Sequence, residues 1–233
     1  MNTSTAFLQV KGLSKHFGGV QALRGVDLSI IPGEVHGLVG ANGAGKSTLI
    51  RCLAGIIQPD IGEMLLDGSP VRIPDPQVAR ELGLSFIHQE LNMVPKFNAL
   101  QNMLLGLPKP KRAGLVDWRS ARSQVLPVVK RLGIAFSLDV SVDELTVADR
   151  WLISIARALI FKSRLIAMDE PTASLSAEES ERLFRIIREL SAEGIAILYV
   201  SHRLDEILDL CARITVFKDG QRVLSVQRAE LDK

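Results

Sequence analysis

Gly40-Ala41-Asn42-Gly43-Ala44-Gly45-Lys46-Ser47 spells G-x-x-x-x-G-K-S, the pattern of a phosphate-binding loop. The run before it, Val35-His36-Gly37-Leu38-Val39, reads as a short buried strand. The run after it, Thr48 to Ala54, reads as the first turns of a helix. Strand, loop and helix in that order are the context the pattern requires. Glycines let the backbone turn several N–H groups into one cavity. The helix start adds its dipole and unpaired N–H groups, which favour an anion. Gly40 through Thr48 are therefore the candidate phosphate-binding residues. Lys46 is placed to reach β- and γ-phosphates, and the Ser47 hydroxyl to ligate Mg²⁺.

The 233 residues suit one large α/β domain or a core with a subdomain, and a hydrophobic fraction of 47% supplies a sizeable core. Basic and acidic residues, 28 against 26, leave a net charge of +2. That balance gives no footprint for nucleic acid, and no basic run suggests membrane-surface binding. Cys52 and Cys211 sit far apart in apolar segments and read as buried thiols, although sequence alone leaves a disulfide open. Met1 to Val10 shows no secretory signal. The longest clean apolar run, Ile195 to Val200, is far too short to span a bilayer. Any transport role then needs separate membrane subunits.

Leu8 to Leu13 and Gly25 to Ile31 look like strands, with turns at Gly18-Gly19 and Pro32-Gly33; Glu63 to Leu66 before Asp67-Gly68 looks like half a hairpin. Val78 to Leu82 reads as a short helix and Leu84 to His88 as a buried strand. Between about Gln89 and Lys162 the pattern turns helical, broken at Pro95, Pro108, Pro110 and Gly114, with Lys109 to Arg112 as a solvated basic loop. Strand texture returns at Leu165 to Met168, Ala196 to Val200 and Ile214 to Phe217. Helices are expected at Glu178 to Leu190 and Arg203 to Leu210. Apolar strands alternating with helices argue for a parallel sheet covered on both faces. Ser176-x-x-Glu179 fits a capping box. Trp151, Ile155 and Leu159 recur at helical spacing and read as core.

Asp169-Glu170 ends the strand Leu165 to Met168. Acids at a strand's C-terminal edge lie where α/β sheets bind ligands. Alone, such a pair reads as two solvated acids. Beside a phosphate loop, Asp169 reads as a Mg²⁺ ligand and Glu170 as the group that orients or deprotonates an attacking water.

Leu165 to Leu175, LIAMDEPTASL, resembles the Walker B and D-loop of ATP-binding cassette (ABC) ATPases, and the resemblance runs over nearly the whole chain. It implies an α/β P-loop NTPase with a RecA-like parallel core. It further implies an antiparallel β-subdomain, core and β-subdomain together covering 1–88 and 163–233, and a helical subdomain over 89–162. ATP and Mg²⁺ are the implied cofactors. Phe17 takes the position of an aromatic that stacks on adenine, which by itself reads as core. Gln89 matches the Q-loop glutamine that contacts Mg²⁺ and the attacking water. His202, within Ser201-His202-Arg203 and followed by Glu206, matches the switch histidine on the γ-phosphate. His16, His36 and His88 carry no comparable case and read as surface or packing residues. The signature, usually LSGGQ, corresponds to Leu145-Thr146-Val147-Ala148-Asp149. In the family it reaches across a dimer to the partner's γ-phosphate. Here Val147 and Ala148 add β-carbons and Asp149 adds negative charge where phosphate should approach, so the motif is weakened.

That loosened signature, with GEVHGLVGANGAGKSTL (Gly33 to Leu49) and DEPTASL (Asp169 to Leu175), is similar to the N-terminal cassette of importers of simple sugars and the related autoinducer sugar. Those ATPases carry two cassettes in tandem. The resemblance implies a second cassette as partner, a transmembrane permease, a peripheral place on the cytoplasmic face of the cell membrane, and no nucleic acid. The chain is then either part of a tandem protein or a separately encoded half. A non-transport ABC ATPase of translation or repair, or a nucleotide-binding half with little hydrolysis of its own, are the alternatives. No N-K-x-D motif suggests guanine recognition.

Overall fold

The computed structural model of the chain describes residues 6–231; residues 1–5, part of the N-terminal stretch read above for a signal, and 232–233 lie outside it. Two long strands open the described chain, β1 (Leu8–Phe17) and β2 (Val20–Ile30). β3 (Val35–Gly40) leads through the glycine loop into α1 (Lys46–Leu53). β4 (Ile61–Leu66), β5 (Ser69–Val71), α2 (Pro76–Glu81) and β6 (Leu84–Ile87) follow. Then come α3 (Ala99–Met103), a small hairpin of β7 (Lys111–Arg112) and β8 (Leu115–Val116), α4 (Trp118–Arg131) and α5 (Val147–Ile160). β9 (Leu165–Asp169), α6 (Ala177–Ala192), β10 (Ala196–Val200), α7 (Leu204–Leu210), β11 (Arg213–Lys218) and β12 (Gln221–Gln227) complete it.

A six-stranded sheet runs in the order β12-β11-β3-β10-β9-β6, and a four-stranded antiparallel sheet in the order β2-β1-β4-β5. All pairings in the larger sheet are parallel except β11 with β12. The central strands β9 and β10 are apolar almost to their ends because both faces are covered. In β9, Ile166 and Met168 join the core that includes α5 and α6, while Leu165 and Ala167 join the core shared with α1 and the smaller sheet. β10 divides likewise, with Ile197 and Tyr199 on one side and Ala196, Leu198 and Val200 on the other. Each fully buried aliphatic side chain contributes about 1.5–3 kcal/mol. Trp151, Ile155 and Leu159 are buried, as their spacing predicts. The Ser176–Glu179 capping box opens α6, with both reciprocal hydrogen bonds formed. Cys52 and Cys211 are free and buried, and burial pushes their thiols up to about 11 and about 12.

Three differences from the sequence reading have one cause. β1 and β2 run past the expected Leu13 and begin before Gly25, because pairing continues to the turn through His16↔Gln21 and Phe17↔Val20. β12, a largely polar and exposed stretch, is an edge strand held by its register with β11. Lys111–Arg112, read as loop, pairs with Leu115–Val116. In each case a ladder supplies the order, and a ladder leaves no apolar period on an exposed strand. A buried polar chain also stitches the sheet. The His36 ring contacts Glu34 at 2.9 Å and Thr215 at 2.8 Å, and Thr215 lies 3.0 Å from Ser225. His36 is thus a hydrogen-bonded core residue joining β3, β11 and β12.

Candidate functional site

The first turn of α1 has N–H groups with no acceptor inside the helix. Gly45 is the N-cap and brings no side chain to satisfy them, and the first turn holds no acid. Gly45 sits at φ 103°, and a Cβ there would lie 2.7 Å from the Ala22 carbonyl oxygen. At Gly40 a Cβ would lie 2.4 Å from the Phe217 carbonyl oxygen. Only glycine fits either place. Asn42 to Thr48 line a cavity of about 350 Å³. The Lys46 ammonium is buried and donates to the carbonyls of Gly40, at 2.6 Å, and Ala41, at 3.1 Å. Both its partners are neutral oxygens, so a phosphate is the stronger acceptor for it.

Parallel pairing of β6 with β9, Ile87 opposite Met168, delivers Gln89 and Asp169 to the same sheet edge. Ser47, Gln89 and Asp169 line one cavity of about 390 Å³, together with His88, Glu90 and Arg51. Hydroxyl, amide carbonyl and carboxylate form an all-oxygen donor set of the kind Mg²⁺ takes, with phosphate and water completing its shell. Burial raises the Asp169 pKa above the usual carboxylate value; His88 and Lys46 pull it down and Glu170 pushes it up. A carboxylate shielded from water beside the cradle gains by meeting a divalent cation, so these residues fit the metal. His88, set aside in the sequence reading, lines this cavity.

Glu170 follows β9 with φ 48°, a left-handed backbone that costs a non-glycine residue energy and recurs at functional sites. Its N–H donates to the Val200 carbonyl at 2.8 Å, holding it against the end of β10. His202 Nδ1 lies 2.9 Å from Glu170 Oε1. The two predicted catalytic side chains therefore meet.

Behind them stands a residue the sequence reading used only as motif context. Glu206 in α7 is buried. Its carboxylate accepts from the Thr172 hydroxyl at 2.6 Å, the Tyr199 hydroxyl at 2.8 Å and the Ser201 hydroxyl at 3.2 Å. Arg203 pairs with it at 2.7 Å. Thr172 follows Glu170 by two positions, and Ser201 and Arg203 flank His202, so one carboxylate ties both catalytic segments together. Burial, and then Glu206, push the Tyr199 hydroxyl pKa upward and keep it a donor.

Phe17 is 47% exposed at the β1 end, paired with Val20 and with Lys15 over its ring at 5.6 Å. Ala22, two residues beyond Val20, abuts Gly45, so this hairpin end flanks the glycine loop. In the signature stretch Leu145 is buried and Thr146 caps α5. None of Leu145, Thr146, Val147, Ala148 or Asp149 lines either cavity.

Residues 23–173 match the model of the ABC transporter family. The arabinose import ATP-binding protein AraG 2 of Burkholderia ambifaria is 46% identical over 98% of the chain and 44% of its own length. The ribose import ATP-binding protein RbsA 1 of Rubrobacter xylanophilus is 46% identical over 93% and 43%. The chain thus spans less than half the length of these curated relatives. An ATP-binding cassette of an ABC transporter, solved in its ADP conformation, superposes with a TM-score of 0.85 at 26% identity, over 97% of this chain and 93% of that one. A nucleotide-free cassette superposes with a TM-score of 0.83 at 25% identity, over 98% and 96%. A glycine cradle, two acids ending a parallel strand and these likenesses agree: the chain belongs to the ABC transporter family, as an ATP-binding cassette with the α/β P-loop NTPase fold.

Proposed function

We propose that the chain binds and hydrolyses ATP to drive import of a simple sugar through a separate membrane permease, at the cytoplasmic face of the cell membrane. One observation carries the catalytic half of this reading: Ser47, Gln89 and Asp169, from three distant stretches, share a single cavity beside the cradle. The arabinose and ribose import names of the relatives support the transported class.

Lys46 and the free N–H groups of the α1 start bind the triphosphate, and the exposed face of Phe17 offers adenine a stacking platform. Ser47, Gln89 and Asp169 would hold Mg²⁺, which when bound offsets phosphate charge. Glu170 accepts the proton of the attacking water, and His202, oriented by its Glu170 contact, meets the γ-phosphate. Such catalysis is positioning and electrostatics. A second cassette supplies the signature facing this cradle, and residues 145–149 serve the partner's. Among the described residues, 6–88 and 163–231 form the nucleotide-binding body and 89–162 the helical part.

Titration with Mg–ATP and turnover at several protein concentrations test the reading. Tight binding is expected, with slow turnover that rises with concentration or with an added second cassette. Glu170→Gln is expected to keep binding and lose turnover by at least about 100-fold. Rapid, concentration-independent turnover by a verified monomer sinks the two-cassette requirement. Recovery with ribosomes, rather than with a multi-spanning membrane protein, favours the non-transport alternative.

A further inference from the structure

The near-neutral charge of the whole chain hides a local imbalance. Residues 107–136 hold seven basic side chains against one carboxylate, Asp117. That carboxylate is engaged as the cap of α4, accepting from the N–H groups of Arg119 and Ser120 and from the Ser120 hydroxyl. Two of the cations are paired from outside the segment, Arg122 with Asp139 and Arg131 with Glu193. Among the described residues no ion pair engages Lys111, Arg112 or Arg119, and all three are exposed.

Apolar surface is set among these charges. Leu115 is 76% exposed, more than any other large hydrophobic residue described, and Trp118 is 40% exposed. The hairpin fixes their neighbours: Arg112 sits opposite Leu115 and Lys111 opposite Val116. Ala113 and Gly114 turn the chain with positive φ, and the Asp117 N–H closes the hairpin on the Pro110 carbonyl at 2.8 Å. On α4, Ala121 and Val125 face the core while Leu126 is exposed two turns beyond Trp118. A single exposed leucine is ordinary. A leucine at a hairpin tip, an indole three residues on and unpaired cations around both are the chemistry of a membrane interface. Indoles settle at headgroup level, leucine enters the acyl boundary, and Lys and Arg are drawn to anionic lipid. A nucleic acid would also find cations here, Arg112 among them, but a leucine exposed at the hairpin tip suits acyl chains better than phosphates and base edges.

We propose that the β7–β8 hairpin and the start of α4 form a contact surface for an anionic lipid bilayer. Leu115 and Trp118 enter the headgroup region, and Lys111, Arg112 and Arg119 pair with lipid phosphates. This surface departs from the sequence expectation, which saw no basic run suggesting membrane-surface binding and read Lys109 to Arg112 as a solvated loop. It also stands apart from nucleotide hydrolysis, since lipid binding requires neither permease nor ATP.

The test is co-sedimentation of the full chain with vesicles of phosphatidylglycerol and phosphatidylcholine, against phosphatidylcholine alone, with tryptophan emission followed in parallel. Trp151 is buried, so a vesicle-induced blue shift reports on Trp118. Binding only to the anionic vesicles is expected, weakening as salt rises, with a blue shift that Trp118→Phe removes. The pair Lys111→Glu and Arg112→Glu should lower vesicle affinity at least about tenfold, and Leu115→Ser should lower it severalfold. All three variants should leave Mg–ATP binding and melting unchanged. Equal binding to neutral vesicles, an unshifted Trp118, undiminished binding by the hairpin variants, or tighter binding to duplex DNA or polyglutamate than to vesicles would each overturn the proposal. A chain that binds vesicles but not Mg–ATP would instead sink the transport reading and leave this one standing.

Discussion

Helices α1 and α5 both begin beneath a loop, yet only one beginning is open to an anion. At α1 the cap is a glycine in a left-handed conformation, with no side-chain hydrogen bond and no acid in the first turn. At α5 the Thr146 hydroxyl accepts from the Asp149 N–H at 3.1 Å and donates to the Asp149 carboxylate at 2.9 Å. The positive end of the α5 dipole already has its anion, covalently attached. A helix start becomes a phosphate site through what it leaves out: the cap side chain, the acid and the β-carbon.

The largest expected effect lies on the open side. Lys46→Ala should weaken Mg–ATP binding by at least about 100-fold, read by titration with a fluorescent nucleotide; unchanged affinity would mean that the amides of α1 suffice and the comparison understates the backbone. Next comes Asp169→Asn, expected to weaken the magnesium dependence of binding by about 10- to 100-fold. The same change should stabilise the nucleotide-free chain. Burial raises the Asp169 pKa, so its protonated form favours the fold at low pH. That contribution fades as pH climbs from the ordinary carboxylate value through the raised one. Urea titrations between pH 4 and 7 should show the excess stability of the asparagine variant growing with pH, and a parallel pair of curves would refute it.

Smaller effects belong to the closed side. Thr146→Ala should cost about 1 kcal/mol of stability by removing the α5 cap, measured by chemical denaturation, with little change in nucleotide affinity. Asp149→Gln removes the resident charge while keeping a first-turn side chain. It should raise turnover of the two-cassette assembly by a few-fold, because the dipole then faces the partner's phosphate. No gain would show that Val147 and Ala148, not charge, limit that site.

Much of the site was legible because its chemistry is local. The cradle from Gly40 to Ser47 needs glycines at fixed offsets, and the acids Asp169 and Glu170 follow at once from an apolar strand. Other parts had no local signal. His88 looks idle until the pairing of β6 with β9 carries it beside Asp169. Glu206 is an ordinary helix-start acid until burial turns it into the acceptor shared by Thr172, Tyr199 and Ser201. The exposed strand β12 shows no apolar period, since only its ladder with β11 makes it a strand.

By itself the sequence determined which groups are available: a backbone able to bend around phosphate, a lysine, two acids at a strand end, and alternating apolar segments long enough to bury a parallel sheet. Those follow from covalent geometry and from the period of each element. Tertiary structure alone decided which distant groups share a cavity and which cations are left unpaired beside Leu115. Those depend on sheet order and on what each side chain packs against, and neither is written into any one stretch of chain.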